Sequence, residues 1–148
     1  MKKTILLVLA LILTACSLGG SELLQNQNKW NTANIIHYRF KLNIGCFCVF
    51  GSRMPLTIEV QNGAVASIAA SDGNIISKTD TNYEYFSRYA TMNRIFIELN
   101  SEEVRKADKV AIQYDATYGF PTNVSIDFIK NAIDDEVSLN VSDFEKLP

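Results

Sequence analysis

The chain has 148 residues, 14 of them basic and 16 acidic, for a formal charge of −2. With 47% hydrophobic and 10% aromatic residues it can bury a core, and its composition is not that of a disordered chain. It lacks the surplus of Lys and Arg that a phosphate backbone requires, which excludes nucleic acid as a partner.

Lys2 and Lys3 open the chain, and Ile5 to Leu13 is an unbroken apolar run. A positive start, a short apolar stretch and small residues after it predict a secretion signal. The run covers roughly half of the ~20 residues a spanning helix needs, so a transmembrane reading is poor. Leu13-Thr14-Ala15-Cys16 resembles the lipobox of bacterial lipoproteins. That resemblance implies a signal peptide over residues 1–15, cut before Cys16, and acylation of Cys16 itself. Residues 16–20 are then the lipidated cysteine and a short tether, and 21–148 a single domain. Losing Lys2 and Lys3 moves the charge from −2 to −4, so contact with a bilayer rests on the lipid and not on a basic patch. The expected location is the bacterial cell envelope. Ser17, standing where enteric-type inner-membrane retention uses aspartate, favours the outer membrane facing the periplasm.

Along the mature chain, Ser21 is a candidate cap for a helix reaching about Ala33, with Leu24 on its inner face and Trp30 as its anchor. Tyr38, Phe40, Leu42 and Ile44 alternate with Arg39, Lys41 and Asn43, the period of a half-buried strand. Leu56, Ile58 and Val60 repeat that pattern and run into Asn62-Gly63, a hairpin signal because both residues tolerate positive φ. Ala64 to Ala70 is the return strand, and Ser71 to Asn74 a turn. Ile75 to Ala90 has no clear period but gathers Tyr83, Tyr85, Phe86 and Tyr89, a satellite of the core. Thr91 caps a long helix bearing Met92, Ile95, Phe96 and Leu99, with Glu102, Glu103, Arg105 and Lys106 on its exposed end. Three further strands follow, inward at Val110-Ile112-Tyr114, Val124-Ile126-Phe128 and Val137-Leu139-Val141. The fold class is therefore α+β: a mostly antiparallel sheet packed against one long and one N-terminal helix, in a single two-layer domain.

Two constellations carry potential chemistry. In an oxidising compartment Cys46 and Cys48 are disulfide candidates. Residues two apart on a strand rise ~6.6–6.8 Å, near the upper limit for bridged Cα atoms, so a bridge requires the strand to bend near Gly45 or Gly51. The alternative is a thiol-dependent metal-binding or redox protein. Two thiolates suit Cu(I) or zinc, yet His37 stands on the opposite parity and no second pair completes four ligands. The second constellation is Asp115, Asp127, Asp134, Asp135 and Glu136, read either as a hard-cation site or as turn residues bonded to their own backbone. No nucleophile accompanies them, so no catalytic residue, metal or cofactor is assigned. Asn123-Val124-Ser125 and Asn140-Val141-Ser142 match a glycosylation sequon but fall inside expected strands.

Tyr38-Arg39-Phe40, Cys46-Phe47-Cys48, Val60-Gln61-Asn62-Gly63, Tyr114-Asp115 with Gly119-Phe120-Pro121, Asp127, and Asp134-Asp135-Glu136 occur in that order. The set resembles a family of small bacterial lipoproteins and secreted proteins catalogued as a domain of unknown function. The likeness runs from about Trp30 to Phe144 and implies one exported domain without supplying an activity. The expectation is a non-catalytic binding or structural module of the envelope, with an envelope protein or a small ligand as partner.

Overall fold

Tyr38, Phe40, Leu42 and Ile44 are buried, and Arg39, Lys41 and Asn43 between them face solvent. This alternation makes β1 (Tyr38–Gly45) a half-buried strand, covered on one side only. The computed structural model describes residues 18–148; the signal segment and Cys16 lie outside the described residues. β2 (Leu56–Gln61) and β3 (Ala64–Ala69) complete a first meander, turning at Asn62 and Gly63 with φ of 53° and 73°. β4 (Lys109–Tyr114), β5 (Pro121–Asp127) and β6 (Val137–Lys146) form the second. The six strands lie in the order β3-β2-β1-β6-β5-β4, every neighbouring pair antiparallel. The first and last strands of the chain therefore meet at the centre of the sheet.

The helices cover the apolar face. α1 spans Leu18–Ala33, so it starts before Ser21, inside the stretch expected to be tether. The low helix propensity of Gly19 and Gly20 hid that first turn from a sequence reading. Leu23 is the buried leucine and Leu24 is 57% exposed, reversing the expected assignment by one residue, or about 100° around the helix. Trp30 is buried as expected. It meets Tyr38, Phe120 and Phe144 edge-on at 5.3, 6.0 and 6.0 Å, and its Nε1 donates to Asn93 Oδ1 at 2.8 Å.

The segment without a clear period contains a short helix, α2 (Tyr83–Ser87), which buries Phe86 in the core. α3 (Met92–Leu99) follows, with the Thr91 side chain accepting from the Arg94 N–H, and buries Met92, Ile95, Phe96 and Leu99. The expected long helix stops there. Ser101 accepts from the Val104 N–H and starts a separate turn, α4 (Glu102–Arg105), so Glu102, Glu103 and Arg105 belong to a second helix. A serine able to cap interrupts the helix because its hydroxyl offers the backbone N–H groups an alternative partner.

β6 is longer than its alternation suggested. At Asp143 the backbone enters the left-handed region, φ 50°, and the register with β1 shifts between Arg39 and Lys41. This bulge turns Phe144 onto the inner face, where strict alternation would place it outward. There it lies 4.5 Å from Phe120 and 5.6 Å from Tyr38.

Candidate functional site

Both cysteines lie just beyond the end of β1. A Cβ on Gly45 would run into the Ser138 hydroxyl on β6, so a side chain there would require Ser138 to turn aside. Past this glycine the chain turns: the Cys48 N–H donates to the Cys46 carbonyl at 2.8 Å, a three-residue turn. The turn draws the two Cα atoms to 5.2 Å, within bridging range, and the sulfurs are joined. Both cysteines are half-buried against the core, whereas Phe47 and Val49 are 82% and 97% exposed. The next residue, Phe50, is buried at 4.8 Å from the Phe86 ring and 5.2 Å from that of Tyr85. Arg53 pairs with Asp80 through one nitrogen, Nη1, which donates to both carboxylate oxygens at 2.8 and 2.9 Å and ties the loop to the segment before α2. A covalent turn, an aromatic plug and an ion pair thus hold two apolar side chains out in water.

The β5–β6 loop adds Ile129 and Ile133, the latter 85% exposed. Its shape comes from Asn131 and Asp134, both at positive φ, and from Asp135, whose Oδ2 accepts from the Ile129 N–H at 2.6 Å. Among the described residues Asp135 Oδ1 is buried without a hydrogen-bond partner. Between this loop and the cysteine turn lies an open cavity of about 290 Å³ lined by Gly45, Cys46, Phe47, Ser125, Asp134 and Glu136 among others. Among the described residues Asp134 and Glu136 form no ion pair. This end of the sheet therefore presents apolar side chains beside uncompensated carboxylates.

The five acidic residues read together from the sequence do not meet. Asp115 sits at the β4–β5 turn, where its Oδ1 accepts from the Thr117 and Tyr118 N–H groups at 2.9 and 2.5 Å. Asp127 stands at the other end of that hairpin, 3.5 Å from Lys109 Nζ. Only Asp134, Asp135 and Glu136 share a loop, and among the described residues no three His, Cys, Asp or Glu side chains gather around a point that could hold an ion. His37 lies at the opposite end of β1 from the cysteines, its Nδ1 2.7 Å from the Pro148 carbonyl. The sequon residues Asn123 and Asn140 stand side by side on the open face. Asn140 Nδ2 donates to Asn123 Oδ1 and Asn123 Nδ2 to Gln113 Oε1, at 2.7 and 3.0 Å.

The aromatic group after β3 is core, as expected. Burial pushes the Tyr89 hydroxyl up to about 12, reinforced by the neighbouring Tyr85. Sequence reasoning singled out the two cysteines but not Val49, Ile129 or Ile133. The available signal was their position: apolar side chains in turns, where burial is geometrically hard.

A six-stranded antiparallel sheet with one helical face and a disulfide-closed apolar tip defines a single-domain α+β protein. Residues 22–146 match the model of a family of unknown function, DUF6174, and the chain belongs to that family. No curated protein and no solved structure matches it.

Proposed function

We propose that the chain is a lipoprotein of the bacterial envelope, anchored through Cys16, that acts by binding and not by turnover, with the cysteine-turn end of the sheet as its contact surface. The observation that carries this is the exposure of Phe47 and Val49 on a covalently closed loop. Exposed apolar side chains on a pre-organised loop pay little ordering entropy when a partner covers them. Asp134 and Glu136 at the same cavity favour a partner segment that carries an apolar side chain flanked by Lys or Arg. The lipobox and the apolar run before it support the anchor and the envelope location, with the outer membrane facing the periplasm preferred.

Photo-crosslinking in growing cells tests the surface, with the probe at Phe47 and a control at Ile36, an exposed residue at the other end of β1. A discrete adduct from Phe47 that disappears when Asp134 and Glu136 are changed to Lys supports the reading; equal adducts from both positions overturn it. Mass spectrometry of the processed chain tests the anchor, and an unmodified Cys16 would remove it. Thiol titration and metal analysis decide the rival use of the two sulfurs: stoichiometric Cu or Zn lost on Cys46→Ser would make this a metal protein instead.

A further inference from the structure

The two edges of the sheet are not alike. Along β3 the following segment supplies partners: Ile75 bridges Ala69, and the Ile76 N–H donates to the Ile68 carbonyl at 2.8 Å. Among the described residues β4 has no such cover. The Asp108 N–H bonds the Phe128 carbonyl, so in the antiparallel alternation Val110 and Ile112 also exchange hydrogen bonds with β5. The N–H and C=O groups of Lys109, Ala111 and Gln113 then point away from the sheet, and among the described residues they have no main-chain partner. Beneath this edge runs an apolar trough of about 380 Å³ between α1, α4 and β4, lined by Leu23, Leu99, Val104, Val110, Ile112 and Tyr114 among others. Val110 is 41% exposed on its rim. The rim also carries Glu22 and Arg105, neither of which is ion-paired among the described residues.

We propose that β4 pairs with β4 of a second copy of this chain, antiparallel about a two-fold axis at Ala111, joining two six-stranded sheets into one. Symmetry and pleat restrict the choice of register. Centred on Ala111, Lys109 of each copy lies opposite Gln113 of the other, and every outward N–H and C=O of those three residues finds a partner. Centred on Ile112, Lys109 would face Asp115, whose N–H already bonds Phe120 and whose C=O already bonds Gly119. The Ala111 register puts a small side chain on the axis of the open face, where it meets its own copy without crowding. On the inner face it sets Val110 against Ile112, a β-branched pair, and closes two half-open troughs on each other. A two-fold also presents each Glu22–Arg105 rim to its own copy, so acid and base are both available across the joint. An exposed edge of this kind is otherwise a template for uncontrolled pairing.

The test is cysteine crosslinking in the native membrane, followed by sedimentation of the purified full chain in detergent. Hydrogen-bonded partners lie ~5.5 Å apart between Cα atoms, inside disulfide range. Ala111→Cys should therefore give a reductant-sensitive covalent dimer, and Ala66→Cys on the β3 edge should not. Ala111→Lys sets two like charges opposite each other and should weaken the dimer about fivefold with an unchanged circular dichroism spectrum. A monomer in sedimentation, equal crosslinking at both edges, or an adduct from position 111 to another protein alone would each overturn the proposal.

Discussion

The hydroxyl of Tyr38 accepts a hydrogen bond from the Met92 N–H at 3.1 Å, joining the central strand to the first residue of α3 inside the core. Met92 is at a helix start, where N–H groups have no intrahelical acceptor, and the Thr91 side chain serves Arg94 instead. Tyr38→Phe leaves this buried N–H unpaired and should cost about 1–3 kcal/mol in denaturant unfolding. Tyr38→Leu should cost more, because it also removes the stack on Phe40.

The same burial predicts an alkaline limit. Desolvation pushes the Tyr38 hydroxyl up to about 12, with the Met92 N–H opposing it, and Tyr114 up to about 12 by desolvation and the nearby Glu22. The folded chain then holds these protons more tightly than the unfolded one. Stability should be full below pH ~10 and fall as pH rises from there through about 12. Urea midpoints against pH should show that decline, and Tyr38→Phe should make it shallower, with Tyr89 and Tyr114 carrying the rest.

At acid pH a different group decides. The Asn82 N–H, and then the Arg53 guanidinium, hold the Asp80 carboxyl below its ordinary value. This contribution is present above the unfolded carboxylate pKa and is lost as pH falls below it. Asp80→Asn should make residues 77–90 exchange amide hydrogens faster at neutral pH while β1 and β6 stay protected, since the ion pair ties that segment to the loop after the cysteine turn. Uniform loss of protection would contradict a local role.

Trp30 is the single tryptophan of the chain and the peg that holds α1 on the sheet. Trp30→Ala should cost about 3–5 kcal/mol, the range for a buried aromatic. Asn93→Leu removes the acceptor of the indole N–H, and its expected cost is nearer 1–3 kcal/mol. The fluorescence of the folded Asn93 variant should keep a buried-indole maximum, because three aromatic rings still enclose Trp30.

Gly119 has φ +80°, and a Cβ there would lie 2.7 Å from the Asn26 carbonyl of α1 and 3.0 Å from Lys29 Cβ. Gly119→Ala meets a backbone atom as well as the left-handed penalty of ~1–2 kcal/mol, so it should destabilise by more than that penalty alone. Thermal melts of Gly119→Ala and Gly73→Ala separate the two effects. Gly73 also has positive φ but open space around it, and should show the conformational part only.

Local features were the legible ones. Asn62-Gly63 announced its hairpin, Thr91 announced the start of α3, and the period of two in Tyr38–Ile44 announced which side of β1 is covered. Each depends on the chemistry of neighbours in sequence. Leu23 against Leu24 was not legible, since adjacent leucines on a helix differ only in which one the sheet reaches. The acidic residues looked alike as a list, yet Asp115 and Asp127 end up at opposite ends of one hairpin while Asp134 and Glu136 share a cavity with Phe47.

From residue order alone came the class of fold, the strand faces, the turn chemistry and the two cysteines as a candidate pair. Tertiary structure decided that β1 and β6 meet at the centre, that Asp143 kinks β6 to deliver Phe144 inward, and that Phe47, Val49 and Ile133 are each left exposed to water. The reason is one of range: alternation and capping are settled within a few residues, whereas strand order and exposure depend on segments some hundred positions apart competing to cover the same apolar face.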